Sequence, residues 1–494
     1  MEKDEIYEQR LEKAAALRRG GVQPYRNKYT RTHTSAEVAA QFDALAETQT
    51  VAVAGRITAM RRMGKASFFD ITDAHGRIQC YAKKNQVGDK AYEAFKTWDL
   101  GDIAGVSGKV FKTNTGEITV LAENLDLLTK SLRALPEKYH GLKDTEQRYR
   151  RRYLDLIANP EVRDGFRKRI MMIRAIRERL QDKGFLEVET PMMQALPGGA
   201  LARPFITHHN ALDIDLYLRV APELYLKRLA VGGFEKIFEI NRNFRNEGIS
   251  TKHNPEFTMM EIYQAYADYH DMMDLTEEIV THAIEVSCGA TKIMYQGTEL
   301  DFTRPWRRLT WLGAVKEFGG PELDLSADRD SLFALARELK IDVETKATKT
   351  AILEKFFDHF VEPNLTKPTF VYDYPTEISP LARQRDDDPQ LTERFEFYAA
   401  AFELANAFSE LTDPVEQLRR FEYQQANRDA GDEEAHAVDT DFVRALEHGL
   451  APTGGLGIGI DRLAMLITDS ASIRDVILFP LMKPKAKKEQ DAQE

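Results

Sequence analysis

Short runs in which apolar and polar residues alternate dominate the chain from about residue 50 to 128. VAVAGRI (51–57), ASFFDITD (66–73), GRIQCYA (76–82), DIAGVSGKVF (102–111) and GEITVLAENLDLL (116–128) follow one another, with the period of two that sends successive side chains to opposite faces of a strand. Gly76 and the Asn114-Thr115-Gly116 turn separate neighbouring runs, so the pattern predicts a small antiparallel barrel. Upstream, residues 2–19 have helical composition and stop at Gly20-Gly21, with Pro24 beyond, which reads as a helix and its end. Downstream, 129–155 is charged and irregular, contains Pro136 and Gly141, and reads as a connection. Phe166, Ile170, Ile173, Ile176 and Leu180 then recur three or four apart, predicting an amphipathic helix closed by Gly184. The stretch 237–266, IFEINRNFRNEGISTKHNPEFTMMEIYQAY, divides into two apolar runs around a polar loop and predicts an antiparallel hairpin. Residues 267–370 mix helical patterns with loops and are expected to form a helical insertion.

Composition narrows the picture. At 494 residues the chain exceeds the usual single-domain size, so two or more domains with a large core are expected. With 79 acidic against 68 basic residues, a net charge of -11, it is no generic polyanion binder, and a nucleic-acid partner would be met by local basic patches. Arg61, Arg62 and Lys65, then Lys109 and Lys112, then Arg148, Arg150, Arg151 and Arg152 are the candidates; each could equally be a solvated face. Cys80 and Cys288 are the only cysteines, too few for a disulfide framework or a four-cysteine zinc site, which suits a reducing compartment. The N-terminus is acidic, and no apolar run approaches membrane-spanning length, so a cytoplasmic protein with no membrane partner is expected. The run Lys483 to Lys488 reads as a solubilising tail. A five-stranded barrel of this size is the OB-fold, which often binds single-stranded nucleic acid.

The chemistry is concentrated in two arginines. Gly455-Leu456-Gly457-Ile458-Gly459-Ile460-Asp461-Arg462 is a strand with every second side chain missing, so something planar can lie against its backbone while Arg462 stacks on a base or meets phosphate. The same pattern would serve a tight sheet-helix contact. Arg245 stands at the end of the first hairpin strand, aimed at whatever the loop covers; the alternative is a surface ion pair with Glu247.

Together, FRNEG (244–248) and GLGIGIDR (455–462) resemble motifs 2 and 3 of the class II aminoacyl-tRNA synthetases, and GFLEVETPMMQ (184–194) resembles motif 1. Residues 197–229, 395–413 and 473–480 are similar to the lysyl-tRNA synthetases in particular. The resemblance implies an α+β chain: an N-terminal OB-fold β-barrel, then a class II synthetase catalytic domain built on an antiparallel β-sheet flanked by helices. The expected division is a helical segment at 1–47, an anticodon-binding barrel at 48–130, a linker at 131–155 and the catalytic domain at 156–494.

The implied reaction is lysine plus ATP giving lysyl-adenylate and pyrophosphate, then acyl transfer to the terminal ribose of tRNA(Lys). The nucleophile is the substrate's own carboxylate, so catalysis must come from positioning and charge neutralisation. By resemblance, Arg245 and Arg462 are catalytic; Glu247, His253, Asn254 and Phe257 join them around ATP; and Gly199, Glu223, Glu261, Tyr263, Asn406, Phe408 and Glu410 form the lysine pocket. A buried ammonium needs an anionic partner, which Glu410 can be. Glu396 and Glu403 would hold Mg2+. Seven apart, they share a face if helical and oppose each other on a strand unless a bend intervenes. Arg61, Phe68, Gln79 and Glu117 match anticodon readers; Phe68 and Phe69 are adjacent, and the resemblance selects Phe68 as the outward one. Pro191, ending the motif 1 strand, implies a homodimer contact. One departure stands out: residues 399–402 read Ala-Ala-Ala-Phe, where bacterial relatives carry two glycines and then a basic residue. Alternatives to the ligase are a paralogue that lysylates a protein, and a catalytically silent RNA-binding relative.

Overall fold

The computed structural model describes residues 5–46, 49–136, 142–200, 202–429 and 438–484. The expected boundary at 47/48, and the lysine-rich tail beyond residue 484, lie outside the described residues. The described chain divides into two compact units at the Asp144/Thr145 junction.

In the first unit, helix α1 (Glu5–Arg19) precedes the strands β1 (Thr50–Met63), β2 (Ala66–Thr72), β3 (Arg77–Lys83), β4 (Ile103–Lys112) and β5 (Ile118–Thr129). They close a barrel in the order β1-β2-β3-β5-β4. All neighbours are antiparallel except β3 and β5, which pair in parallel and seal it. Alternation does what the sequence implied: Val51, Val53, Phe69, Ile71, Ile78, Cys80, Val106 and Val120 fill the interior. Leu17 of α1 joins this core, and Arg10 of the same helix donates to the carbonyls of Ser131 and Arg133 at 3.2 and 3.0 Å. The N-terminal helix is therefore part of the barrel unit.

The second unit is built on an eight-stranded sheet. Its frame is α2 (Pro160–Asp182), β6 (Leu186–Glu187), α3 (Glu223–Val231), β7 (Lys236–Phe244), β8 (Glu256–Ala265), α4 (Tyr269–Cys288), β9 (Arg307–Thr310), β10 (Thr369–Pro375), β11 (Leu391–Ala399), β12 (Phe402–Ser409), β13 (Thr453–Gly459) and α5 (Ile460–Ile467). The order is β9-β10-β11-β12-β13-β8-β7-β6. The six central strands are antiparallel, but β6 pairs in parallel with β7 and β9 with β10. The sheet is thus mixed rather than antiparallel throughout, because the chain reaches each edge by a long crossover instead of a hairpin. α2, α4 and α5 cover one face, where Met172, Ile176, Met272, Ile279, Leu463 and Leu466 pack on Phe238, Ile262 and Ile458.

Three expectations need correction. Ile170 is 64% exposed; α2 buries Phe166, Met172, Ala175, Ile176 and Leu180, because Met172 and Ala175 take the inward turn that Ile170 was expected to share. The supposed linker contains two helices, Thr145–Arg150 and Arg152–Ala158. Arg152 is no basic patch either: it is 1% exposed, pairs with Asp155 at 2.6 Å and donates to the carbonyls of Leu478 and Arg474. Finally, 267–370 is not simply a helical insertion. α4 belongs to the main core and β9 forms the sheet edge; the helices that pack as a separate cluster are Trp311–Glu317, Arg329–Glu338 and Lys349–Phe360.

Candidate active site

All fifteen residues nominated for ATP, lysine or metal line one cavity of about 410 Å³ on the open face of the eight-stranded sheet. The glycines of β13 explain how so many side chains converge there. β13 lies between β8 and β12, with Gly455 opposite Tyr263 on one side and Phe408 on the other, and Gly457 opposite Glu261 and Asn406. A Cβ at Gly455 would stand 1.9 Å from the Glu410 carboxylate and 2.9 Å from the Tyr263 ring. At that position glycine makes room for the protein's own groups. At Gly457 and Gly459 the nearest atoms would be 3.3 and 3.6 Å away, so the crowding eases along the strand where these two glycines line the cavity.

The cationic part of the cavity is held by the hairpin loop and α5. Arg245 follows β7, its N–H donating to the carbonyl of Pro255 at 2.9 Å, with its guanidinium carbon 5.1 Å from the centre of the Phe257 ring. Its Nε is buried and makes no hydrogen bond within the chain. Burial lowers its pKa, against the pull of Glu247 and Glu403; an arginine remains charged nonetheless. Arg462 donates to the carbonyl of Glu403 at 2.6 Å and to its carboxylate at 3.2 Å, and lies 3.4 Å from His253 Nε2. Burial, then Arg462, depresses the His253 pKa, which leaves the ring neutral at physiological pH. Asp461 anchors this helix: its carboxylate accepts the Thr258 N–H at 2.7 Å and pairs with Arg169.

The anionic part contains Glu223, Glu261 and Glu410, which are 6%, 5% and 1% exposed. The Tyr263 hydroxyl donates to Glu261 at 3.1 Å. Burial, then Glu223, raises the Glu261 pKa well above the carboxylate range. Gly199, at φ +91°, brings its backbone against Glu223; a Cβ there would meet the Glu223 Cβ at 2.9 Å.

Glu396 and Glu403 come together because a turn falls between them. Glu396 is on β11 and Glu403 on β12, and Ala400 and Ala401 form the hairpin turn with φ of 54° and 57°. The left-handed conformation is where glycine is expected, so the alanines preserve the turn at a cost in strain. Glu396 accepts from Tyr374 at 2.9 Å and also from Arg394 and Tyr398. Burial raises its pKa, Arg394 opposes this and Glu403 adds to it. Two neighbouring carboxylates fit Mg2+, which is usually held by one or two carboxylates plus substrate oxygens. Among the described residues no group of three or more acidic, histidine or cysteine side chains could hold a metal alone.

In the barrel unit, Phe69 is 1% exposed and Phe68 faces outward, stacked on Tyr81 with centroids 4.1 Å apart and planes 6° apart. Arg61 is opposite Phe68 in the register and exposed. Gln79 accepts from Thr119 at 2.9 Å and Glu117 from Arg77 at 2.5 Å, so the four nominated residues share the outer surface of β1, β2, β3 and the approach to β5.

Residues 144–483 match the family described as tRNA synthetases class II (D, K and N), and residues 51–128 match the OB-fold nucleic acid binding domain. The lysine–tRNA ligase of Carboxydothermus hydrogenoformans is 57% identical over 484 residues, covering 98% of this chain and 99% of that one. The chain belongs to the lysine–tRNA ligase family. Two further members, from Pelotomaculum thermopropionicum and Clostridium novyi, are 57% and 53% identical; they cover 98% and 97% of this chain, which spans 96% and 94% of theirs.

Against the motifs of a class II synthetase, the sequence reading missed residues that lie just behind the nominated ones. Lys227 and Arg394 are cations placed beside pocket carboxylates. Lys252 has its ammonium 4.7 Å from the centre of the Phe402 ring and 3.4 Å from the Ala401 carbonyl. It brings positive charge to the turn, where the resemblance led to the expectation of a basic residue. The available signal was the Ser-Thr-Lys-His order in the hairpin loop; nothing in it says that Lys252 folds back onto β12.

Proposed function

We propose that the cavity activates L-lysine with ATP to lysyl-adenylate and passes the lysyl group to the 3'-terminal adenosine of tRNA(Lys). The observation that carries this is the sorting of charge inside one cavity: carboxylates around Glu410 suit an ammonium, and Arg245 and Arg462 suit phosphate. Arg245 bridges the substrate carboxylate and the α-phosphate, reducing the repulsion between two anions while a carboxylate oxygen attacks phosphorus and pyrophosphate departs. Arg462 and Phe257 hold the adenine and the outer phosphates, with Glu247, His253 and Asn254 around them. Glu396 and Glu403 would hold Mg2+, which when bound neutralises the triphosphate and supports the leaving group. In the second step a ribose hydroxyl of the tRNA attacks the lysyl carbonyl carbon and AMP leaves.

The barrel reads the anticodon, Phe68 stacking a base while Arg61, Gln79 and Glu117 meet base edges. The protein works in the cytoplasm as a homodimer. Supporting the dimer, β6 is an edge strand, and the nearby Leu186, Met192, Met193 and Leu196 are 44–56% exposed, an apolar edge that a second copy would cover. Among the described residues no helix is long and apolar enough to cross a membrane. The silent-relative alternative is disfavoured by Arg245, Arg462, Glu396 and Glu403 lining the same cavity. Amino-acid-dependent exchange of pyrophosphate into ATP tests the reading: lysine alone should support it, with Mg2+ and without tRNA. Exchange with a different amino acid, or none, would refute it. Sedimentation at the mass of one chain would refute the dimer.

A further inference from the structure

Lys227 is wholly buried, and its ammonium lies 2.6 Å from a Glu223 carboxylate oxygen and in ion-pair contact with Glu410. It also faces the rings of Phe408 and Phe442, with centroids 5.4 and 5.9 Å away. Such a placement is expensive: a lysine out of water needs compensation from full-strength partners. On the surface of a helix a Glu-Lys pair four apart is worth a few tenths of a kcal/mol. Here the helix α3 turns the same pair inward, and a carboxylate from the end of β12 closes on it.

We infer that Lys227 is the resident counter-cation of the lysine pocket: it positions Glu223 and Glu410 for the two ammonium groups of the substrate, and so sets the affinity for lysine. The inference rests on the reading of Glu223 and Glu410 as lysine-binding carboxylates. Lys227 stands behind them as a positioning residue. Three acidic side chains converge here, and the titratable groups facing Lys227 are Glu223 on its own helix, Glu410 after β12, and Glu261 with Tyr263 on β8; Glu239 on β7 is already paired with Arg219 at 2.7 Å. Without an ammonium among them, buried carboxylates repel and take up protons, and a protonated carboxyl is no partner for a substrate cation.

The electrostatics run in that direction. Burial alone would push the Lys227 ammonium down, and Glu223 and Glu410 overcome this to hold it above its usual value. Burial, with Glu223 adding to it, outweighs the pull of Lys227 and leaves Glu410 raised to about 8. Take Lys227 away and the opposing pull goes with it. Because the carboxylate form binds lysine, affinity should improve as pH rises through the Glu410 pKa, and losing Lys227 should move that rise to higher pH. At neutral pH, lysine binding then weakens in proportion to the gain in the carboxyl's proton affinity, so a tenfold gain weakens it by about tenfold.

Lysine binding is therefore measured by calorimetry from pH 6.5 to 8.5, with KM and kcat in the exchange reaction, for Lys227→Met, Lys227→Gln and Lys227→Arg. The two neutral variants should bind lysine at least about tenfold more weakly at pH 7 and recover as pH rises, with the ATP KM within about threefold of wild type. Lys227→Arg should keep the wild-type pH profile. Glu410→Gln, measured alongside, separates the two readings: if it leaves lysine binding intact, the pocket assignment is wrong; if it weakens binding and the neutral Lys227 variants do not, only the role of Lys227 is wrong. Tighter lysine binding in Lys227→Met would show a competitor for Glu410 and overturn the inference. So would a pH-independent loss accompanied by a lower melting temperature. Should both neutral variants fail to fold, Lys227→Arg decides, since a displaced pH profile with the charge retained would also overturn it.

Discussion

Arg245 brings a full charge into a partly desolvated cavity, with its Nε unbonded within the chain and Phe257 against its guanidinium. A donor preorganised in this way is worth more to a transition state than the same donor in water, because it needs no reorganisation when charge develops. Arg245→Ala is expected to slow lysine-dependent pyrophosphate exchange by at least about a hundredfold, with folding intact by circular dichroism; exchange near the wild-type rate would remove Arg245 from the mechanism. Its position was readable because a strand end and a turn-rich loop are local signals. So was that of Arg462, at the end of an alternating glycine strand. Lys227 was not readable. Its spacing from Glu223 is that of a solvent-facing helix pair, and its burial is decided by β12, nearly two hundred residues on in the chain.

The hairpin of β11 and β12 shows the same divide between elements. The alternation of Asn406, Phe408 and Glu410 was visible, and β12 follows from it. Whether Glu396 and Glu403 would meet could not be settled from spacing, since the answer lies in a two-residue turn whose alanines carry no turn signal. Left-handed backbone costs an L-residue about 1–2 kcal/mol, whereas glycine in its place costs about 0.5–1 kcal/mol of chain entropy, so strain outweighs entropy by a small margin. Ala400→Gly and Ala401→Gly are each expected to stabilise the second unit by about 0.5 kcal/mol, seen as a higher midpoint in chemical denaturation followed by tryptophan fluorescence. Trp306 and Trp311, both in that unit and buried, supply the signal. Lower midpoints for both variants would mean that the turn is held by something other than its backbone preference.

At the scale of the whole chain, the two units carry separable chemistry: the fifteen nominated cavity residues lie in the second and the four nominated base-reading residues in the first. The barrel was legible strand by strand, since every strand has a stretch in which buried and less buried positions alternate, most cleanly in β3 and the first half of β1. The edges of the larger sheet were not, because parallel pairs made by long crossovers leave no local trace. The choice of face at Phe68 lies between these cases: alternation required one of two neighbouring phenylalanines to face out, and Phe69 is the one in the core. If the exposed face of the Phe68–Tyr81 stack receives an anticodon base, Phe68→Ala removes roughly 1–3 kcal/mol of tRNA binding. Aminoacylation at limiting tRNA should then fall by about tenfold or more. Lysine-dependent exchange without tRNA, which uses only the second unit, should remain near wild type. A variant that loses both activities together with a lower melting temperature would instead make Phe68 a structural partner of Tyr81, and the base-stacking surface would have to be sought elsewhere on the barrel.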